Sequence, residues 1–140
     1  MSESLAVAGA SALGSIALTL AAALALTLLI EVPVAWLRGL KGRRALGAVV
    51  LVNVITNPAI NYVLLVVGRL ASNRVYWVAV AVLEVLVVLA EWRLLLWVLG
   101  GSPRRLLVTS ALINAASFSV GLGVLVLQYK GLIALPVLPL

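Results

Sequence analysis

The four acidic residues of this 140-residue chain are all glutamate, at positions 3, 31, 84 and 91. Glu31, Glu84 and Glu91 stand inside long apolar runs, joined there by Asn53, Thr56, Asn57, Asn114 and Ser117. A charged or amide side chain in hydrocarbon costs a few kcal/mol unless it is paired or faces a wet cavity, so these residues point to an ion or substrate path. Desolvation and like charge both oppose two neighbouring carboxylates ionising together, so a Glu31/Glu91 pair is expected to titrate as one coupled unit that keeps at least one proton. Such a pair can load and release a proton, or exchange it for a cation. With the amide oxygens of Asn53 and Asn114 it forms an all-oxygen set, which suits hard cations and not zinc or copper. Which metal, if any, stays open. Pro33 and Pro58 each remove a helix hydrogen bond and free a carbonyl one turn earlier, at Leu29 and Val54, which are expected to add acceptors to the same layer.

Depth and face both bring these residues together. Glu31 precedes Trp36 and Glu91 precedes Leu99, while Asn53 follows Arg44 and Asn114 follows Arg105, in each case by between one and three helical turns. At 1.5 Å per residue, all four lie about 10 Å inside the same end of their helices. Ser11, Ser15, Thr19, Ala23, Thr27 and Glu31 form an i, i+4 row of small and polar residues, the kind of stripe that lets membrane helices approach closely. Asn53, Asn57 and Asn61 make a second row, Ser110, Asn114, Ser117 and Gly121 a third, and Glu84, Val88, Glu91 and Leu95 a fourth. All four polar faces are expected to turn inward. Thr56 and Ser117 join the candidate site, and Glu84 and Asn57 extend its path.

The elements that must position these residues follow from composition. The chain is 65% hydrophobic and 10% charged, with a mean hydropathy of +1.28, which is the composition of a membrane protein. Four apolar runs are each long enough to cross about 30 Å of hydrocarbon. They are read at about 5–37, 45–67, 75–99 and 106–127, leaving an apolar tail at 131–140. The first run lacks the basic start and short core of a secretory signal, so it is expected to be retained. The connections are short and carry Gly39 and Gly42, then Gly68 with Ser72-Asn73, then Gly100-Gly101-Ser102-Pro103. The expected fold is therefore an all-α integral membrane protein, a four-helix up-down bundle.

Arg38, Lys41, Arg43, Arg44, Arg104 and Arg105 lie on one side, against Arg69, Arg74 and Lys130 on the other. The positive-inside rule puts the loops at about 38–44 and 100–105 in the cytoplasm and both termini outside. Most of the Trp and Tyr residues fall near span ends, as an interfacial belt. The net charge of +6 does not indicate nucleic acid, because the basic residues sit at span ends without aromatic interleaving or a binding motif.

The chain also repeats. Laying the stretch from Trp36 over that from Trp97, an offset of 61 (97 − 36), pairs Gly39 with Gly100, Arg43-Arg44 with Arg104-Arg105, Asn53 with Asn114, Thr56 with Ser117 and Arg69 with Lys130. With one residue of slippage Glu31 meets Glu91. The expectation is a duplication into two parallel two-helix repeats, about 5–69 and 75–130, related by an axis along the membrane normal.

The leading expectation is a small transporter or channel-like protein that binds or moves a proton, a small cation or a proton-coupled solute. Its interior is small, so a homo-oligomer or a larger membrane partner is expected alongside the lipid bilayer. The alternatives are a scaffold subunit of a larger complex and a lipid-modifying enzyme. With no His or Cys, no Gly-x-Ser-x-Gly elbow and every Lys in a loop or terminus, the balance is against an enzyme, and no catalytic residue is assigned. No phosphate-binding loop is present and no cofactor is expected. Small multidrug resistance transporters share the size, but their span 1 glutamate sits near mid-helix, whereas Glu31 is near its helix end. Dual-topology fluoride channels carry a polar and Phe track that Asn114 to Ser119 matches only loosely. Neither comparison assigns a family.

Overall fold

The computed structural model describes residues 2–132, with side chains from residue 10 onward apart from Ala12. Among these the fold is all helical, with four helices: α1 (Ser2–Leu37), α2 (Arg43–Leu70), α3 (Asn73–Leu99) and α4 (Pro103–Tyr129). Gly131 and Leu132 follow α4; the rest of the expected apolar tail lies outside the described residues. Each helix packs on two neighbours, α1 on α2 and α4, and α3 on α2 and α4. The diagonal pairs, α1 with α3 and α2 with α4, make no close backbone approach among the described residues. The links at 38–42, 71–72 and 100–102 are too short for anything but antiparallel neighbours.

Leu13–Leu37, Arg43–Leu70 and Pro103–Tyr129 are long and apolar enough to cross a membrane. The fourth helix, α3, is 27 residues long and is set apart by Glu84, Glu91 and Arg93 in its body. Helices α2 and α4 begin earlier than their apolar runs, because Arg43-Arg44 and Arg104-Arg105 form their first turns. Pro103 suits the first turn of α4, where its missing N–H has no partner to lose. Ser102 caps that turn, its Oγ accepting from the Arg105 N–H at 3.5 Å. Both prolines are absorbed inside continuous helices, Pro33 in α1 and Pro58 in α2.

The packed core lies at one end of the bundle. Ala35, Val49, Leu95, Leu106 and Ile113 are its centre, with Leu40 folding back from the first link. Arg44 and Arg105 stitch this end across the chain: the Arg44 guanidinium donates to the Val98 carbonyl at 2.9 Å and that of Arg105 to the Gly39 carbonyl at 3.4 Å. Gly39 takes a φ of 87°, which favours glycine, and an Arg105 nitrogen lies 2.8 Å from where a Cβ would stand, so the end of that side chain would have to shift for any other residue.

Candidate functional site

Directly beyond this core, two glutamates, one from α1 and one from α3, are closed in by polar side chains from α2 and α4. Glu31 of α1 and Glu91 of α3 are each 1% exposed, as is Asn53. A buried carboxyl group needs donors on both oxygens. Glu31 has Asn53 of α2 donating to Oε2 at 2.7 Å and Ser117 of α4 donating to Oε1 at 2.6 Å. Glu91 has Thr56 of α2 donating to Oε1 at 3.0 Å and the Asn114 amide of α4 donating to Oε2. Because Asn53 and Thr56 lie one turn apart on α2, and Asn114 and Ser117 one turn apart on α4, each of these helices bridges both glutamates. The result is a closed circuit of hydrogen bonds through four helices.

Both amides have their orientation fixed by chemistry. Asn53 also donates to the Val49 carbonyl at 3.1 Å and Asn114 to the Ser110 carbonyl at 3.0 Å. A carbonyl only accepts, so a flipped amide would set oxygen against oxygen. Each NH2 is therefore fully used, and each amide oxygen is left without a hydrogen-bond donor among the described residues.

The two hydroxyls face a different constraint. Thr56 Oγ1 lies 3.0 Å from both the Val52 carbonyl and Glu91, and Ser117 Oγ also approaches the Asn114 carbonyl, at 3.0 Å. A hydroxyl has one hydrogen and can serve one acceptor at a time. It donates to an ionised carboxylate; when the carboxyl group carries a proton, that group donates to the hydroxyl, which turns its own hydrogen to the carbonyl. Both states are satisfied without moving a heavy atom.

Beyond the circuit the bundle opens. A cavity of about 190 Å³ runs from Glu31, Asn53, Thr56, Glu91, Asn114 and Ser117 toward the other end of the molecule. Asn57 and Glu84 line it too, so all eight residues singled out in the sequence border one space. Asn57 donates to Thr27 Oγ1 at 2.8 Å, and its own side-chain oxygen accepts from Asn61 at 3.1 Å. Ala23 and Thr27, the inner part of the α1 row, share the wall.

The remaining residues lie elsewhere. Leu29 and Val54, whose carbonyls the prolines free, are 74% and 46% exposed and lie on the outer surface. Neither residue lines the cavity beside the layer. Arg93 is exposed, its guanidinium 5.7 Å from the Trp92 ring centroid. The aromatic part of the cavity, Tyr76, Trp77 and Phe118, is absent from the sequence reading, which assigned rings near span ends to an interfacial belt. Their i+7 and i+4 spacing from Glu84 and Asn114 is the signal that would have found Trp77 and Phe118. Buried Thr109 is also new; its hydroxyl is the one buried side-chain polar atom left without a partner among the described residues.

These features define a small all-helical bundle with an acidic, amide-ringed cavity at its centre. No family model, characterised protein or solved structure matches the chain.

Proposed function

We propose that this chain is an integral membrane protein whose four helices all cross the bilayer, and that it binds and moves a proton, a small cation or a proton-coupled solute. The observation that carries the reading is the circuit around Glu31 and Glu91. Two carboxylates from α1 and α3, held by donors from α2 and α4, are an expensive way to glue a bundle, since polar contacts between membrane helices average about 0.6 kcal/mol. They suit a site whose charge changes, because the hydroxyls of Thr56 and Ser117 accommodate either protonation state. The amide oxygens of Asn53 and Asn114 are acceptors open to a hard cation, and each carboxylate oxygen, which accepts one hydrogen bond, keeps a further lone pair for it.

The same circuit supports two parallel repeats, about 5–69 and 75–130. Exchanging Glu31 with Glu91, Asn53 with Asn114 and Thr56 with Ser117 turns its four hydrogen bonds into one another. The backbone acceptors follow, Val49 exchanging with Ser110 at the offset of the repeat. The arginine donors correspond as well, Arg44 and Arg105, although their acceptors, the Val98 and Gly39 carbonyls, do not fall at the offset of the repeat. A cavity closed at the Arg-rich end and open at the other suits a state accessible from one side. Rocking of one hairpin on the other would open the packed end, and a second copy or a larger membrane partner would supply the surface for that movement.

The test is thermal stability of the purified protein against pH and a panel of monovalent and divalent cations, comparing wild type with Glu31→Gln plus Glu91→Gln. Glutamine fits the circuit: its oxygen accepts from the asparagine, its NH2 donates to the hydroxyl, and the hydroxyl donates to the carbonyl. The variant is expected to fold and to lose the response that wild type shows to protons or to one ion. If neither protein responds to any ion or to pH, the reading is wrong, and a scaffold for a membrane partner takes its place.

A further inference from the structure

Glu84 stands apart from the other two buried-span glutamates. It is half-buried, lies two turns beyond Glu91 on α3, and makes no hydrogen bond or ion pair among the described residues. It borders two spaces at once. One is the inner cavity. The other is a groove of about 430 Å³ on the outer face between α3 and α4. The two share Trp77, Val80, Glu84, Asn114 and Phe118, so they meet at this carboxylate. The groove continues past Val85, Val88, Leu89 and Ala115, a wall with no charge other than Glu84.

We propose that this junction binds an amphipathic organic cation, its ammonium head at Glu84 between Trp77 and Phe118 and its hydrocarbon tail along the α3–α4 groove. This rests on the transport reading and names its substrate class. Charge selects the head: no Lys or Arg lines either space, so an anionic lipid or fatty acid meets only repulsion. The rings add to that selection. Trp77 is braced edge-on by Tyr76, with centroids 5.5 Å apart, and an ammonium group over an indole face gains about 0.5–2 kcal/mol. A bare metal ion is a poor fit at this point, because one carboxylate, the Asn114 amide and aromatic carbons do not replace its six or more oxygen ligands. The groove falls within the ~300–1,000 Å³ of sites for drug-sized molecules. Its opening on the outer face of the bundle gives a hydrocarbon tail direct access from lipid.

The experiment is equilibrium dialysis of decyltrimethylammonium against the full chain in nanodiscs of zwitterionic lipid, with binding to empty discs subtracted. Saturable binding is expected for this probe. A decyl chain with a maltoside or a sulfate head should not compete, and tetramethylammonium should compete weakly because it lacks the tail. Glu84→Gln, nearly isosteric, should weaken binding by about tenfold or more, the loss of roughly one charge contact. Trp77→Leu should weaken it less, and it serves as the second variant if Glu84→Gln does not fold. Equal binding by Glu84→Gln and wild type, or equal competition by the uncharged head, overturns the proposal. So does binding that falls away as protein concentration rises, which would mark the groove as the seat of a second copy. Glu31→Gln plus Glu91→Gln separates the two readings. Binding that survives in this variant while no ion or pH response exists in wild type sinks the coupled transport reading and leaves the Glu84 site. A coupled response without Glu84-dependent binding does the reverse.

Discussion

Thr56 and Ser117 have the same task in the two halves, and substitutions should reveal it. Thr56→Val keeps the shape and removes the hydroxyl, leaving one Glu91 oxygen without its donor at a buried position. The expected cost is about 1–3 kcal/mol, read from the unfolding midpoint in mixed micelles, whereas Thr56→Ser should cost under about 1 kcal/mol because the hydrogen bond survives. Asn53→Leu and Asn114→Leu each remove an amide that serves a carboxylate and a carbonyl. Each should destabilise by about 2 kcal/mol or more, and by similar amounts if the halves are equivalent. The candidate residues were legible because polar side chains are rare in this composition. Which partner each one takes was not. The pairing of Ser117 with Glu31 depends on α4 packing beside α1, and no periodicity within either helix encodes that adjacency.

The helices themselves were legible from apolar run length, and their inward faces from the i, i+4 rows of Asn, Ser and Glu, because one period governs both folding and side-chain direction. Their ends were less so, since Arg43-Arg44 and Arg104-Arg105 lie past the apolar runs yet continue the helices. The packed end was not anticipated at all: Ala35, Val49, Leu95 and Ile113 are ordinary apolar residues among many. Glycine substitutions separate the roles of link and helix. Gly39→Ala meets both a positive φ and the Arg105 guanidinium, so it should lower stability by about 1 kcal/mol or more. Gly47→Ala lies inside α2 with open space around it and should raise stability by about 0.5–1 kcal/mol. Leu95→Ala empties a fully buried position in the seal, at an expected cost of about 2–5 kcal/mol.

Across the whole molecule, the polarity of the bundle ties topology to mechanism. The packed, arginine-stitched end holds the 38–42 and 100–102 links, and the cavity leads toward the end that holds the 71–72 link. If the Arg-rich end is cytoplasmic, the cavity is accessible from outside, and a cation arriving there meets Glu84 before the Glu31/Glu91 circuit. Cysteine accessibility tests this directly, because the chain contains no cysteine and each introduced thiol reports alone. Ser72→Cys and Ser102→Cys sit in exposed links at opposite ends, and Ser102→Cys also costs the α4 cap, which weakens but does not remove a helix held by tertiary packing. In intact right-side-out vesicles a membrane-impermeant maleimide is expected to label Ser72→Cys at once and Ser102→Cys only after permeabilisation. The opposite pattern would reverse the orientation and make the cavity cytoplasmic, leaving the circuit unchanged. Equal labelling of both without permeabilisation would mean that the packed end does not seal or that both orientations coexist. Two orientations would allow two antiparallel copies to face each other, each presenting its cavity to a different side.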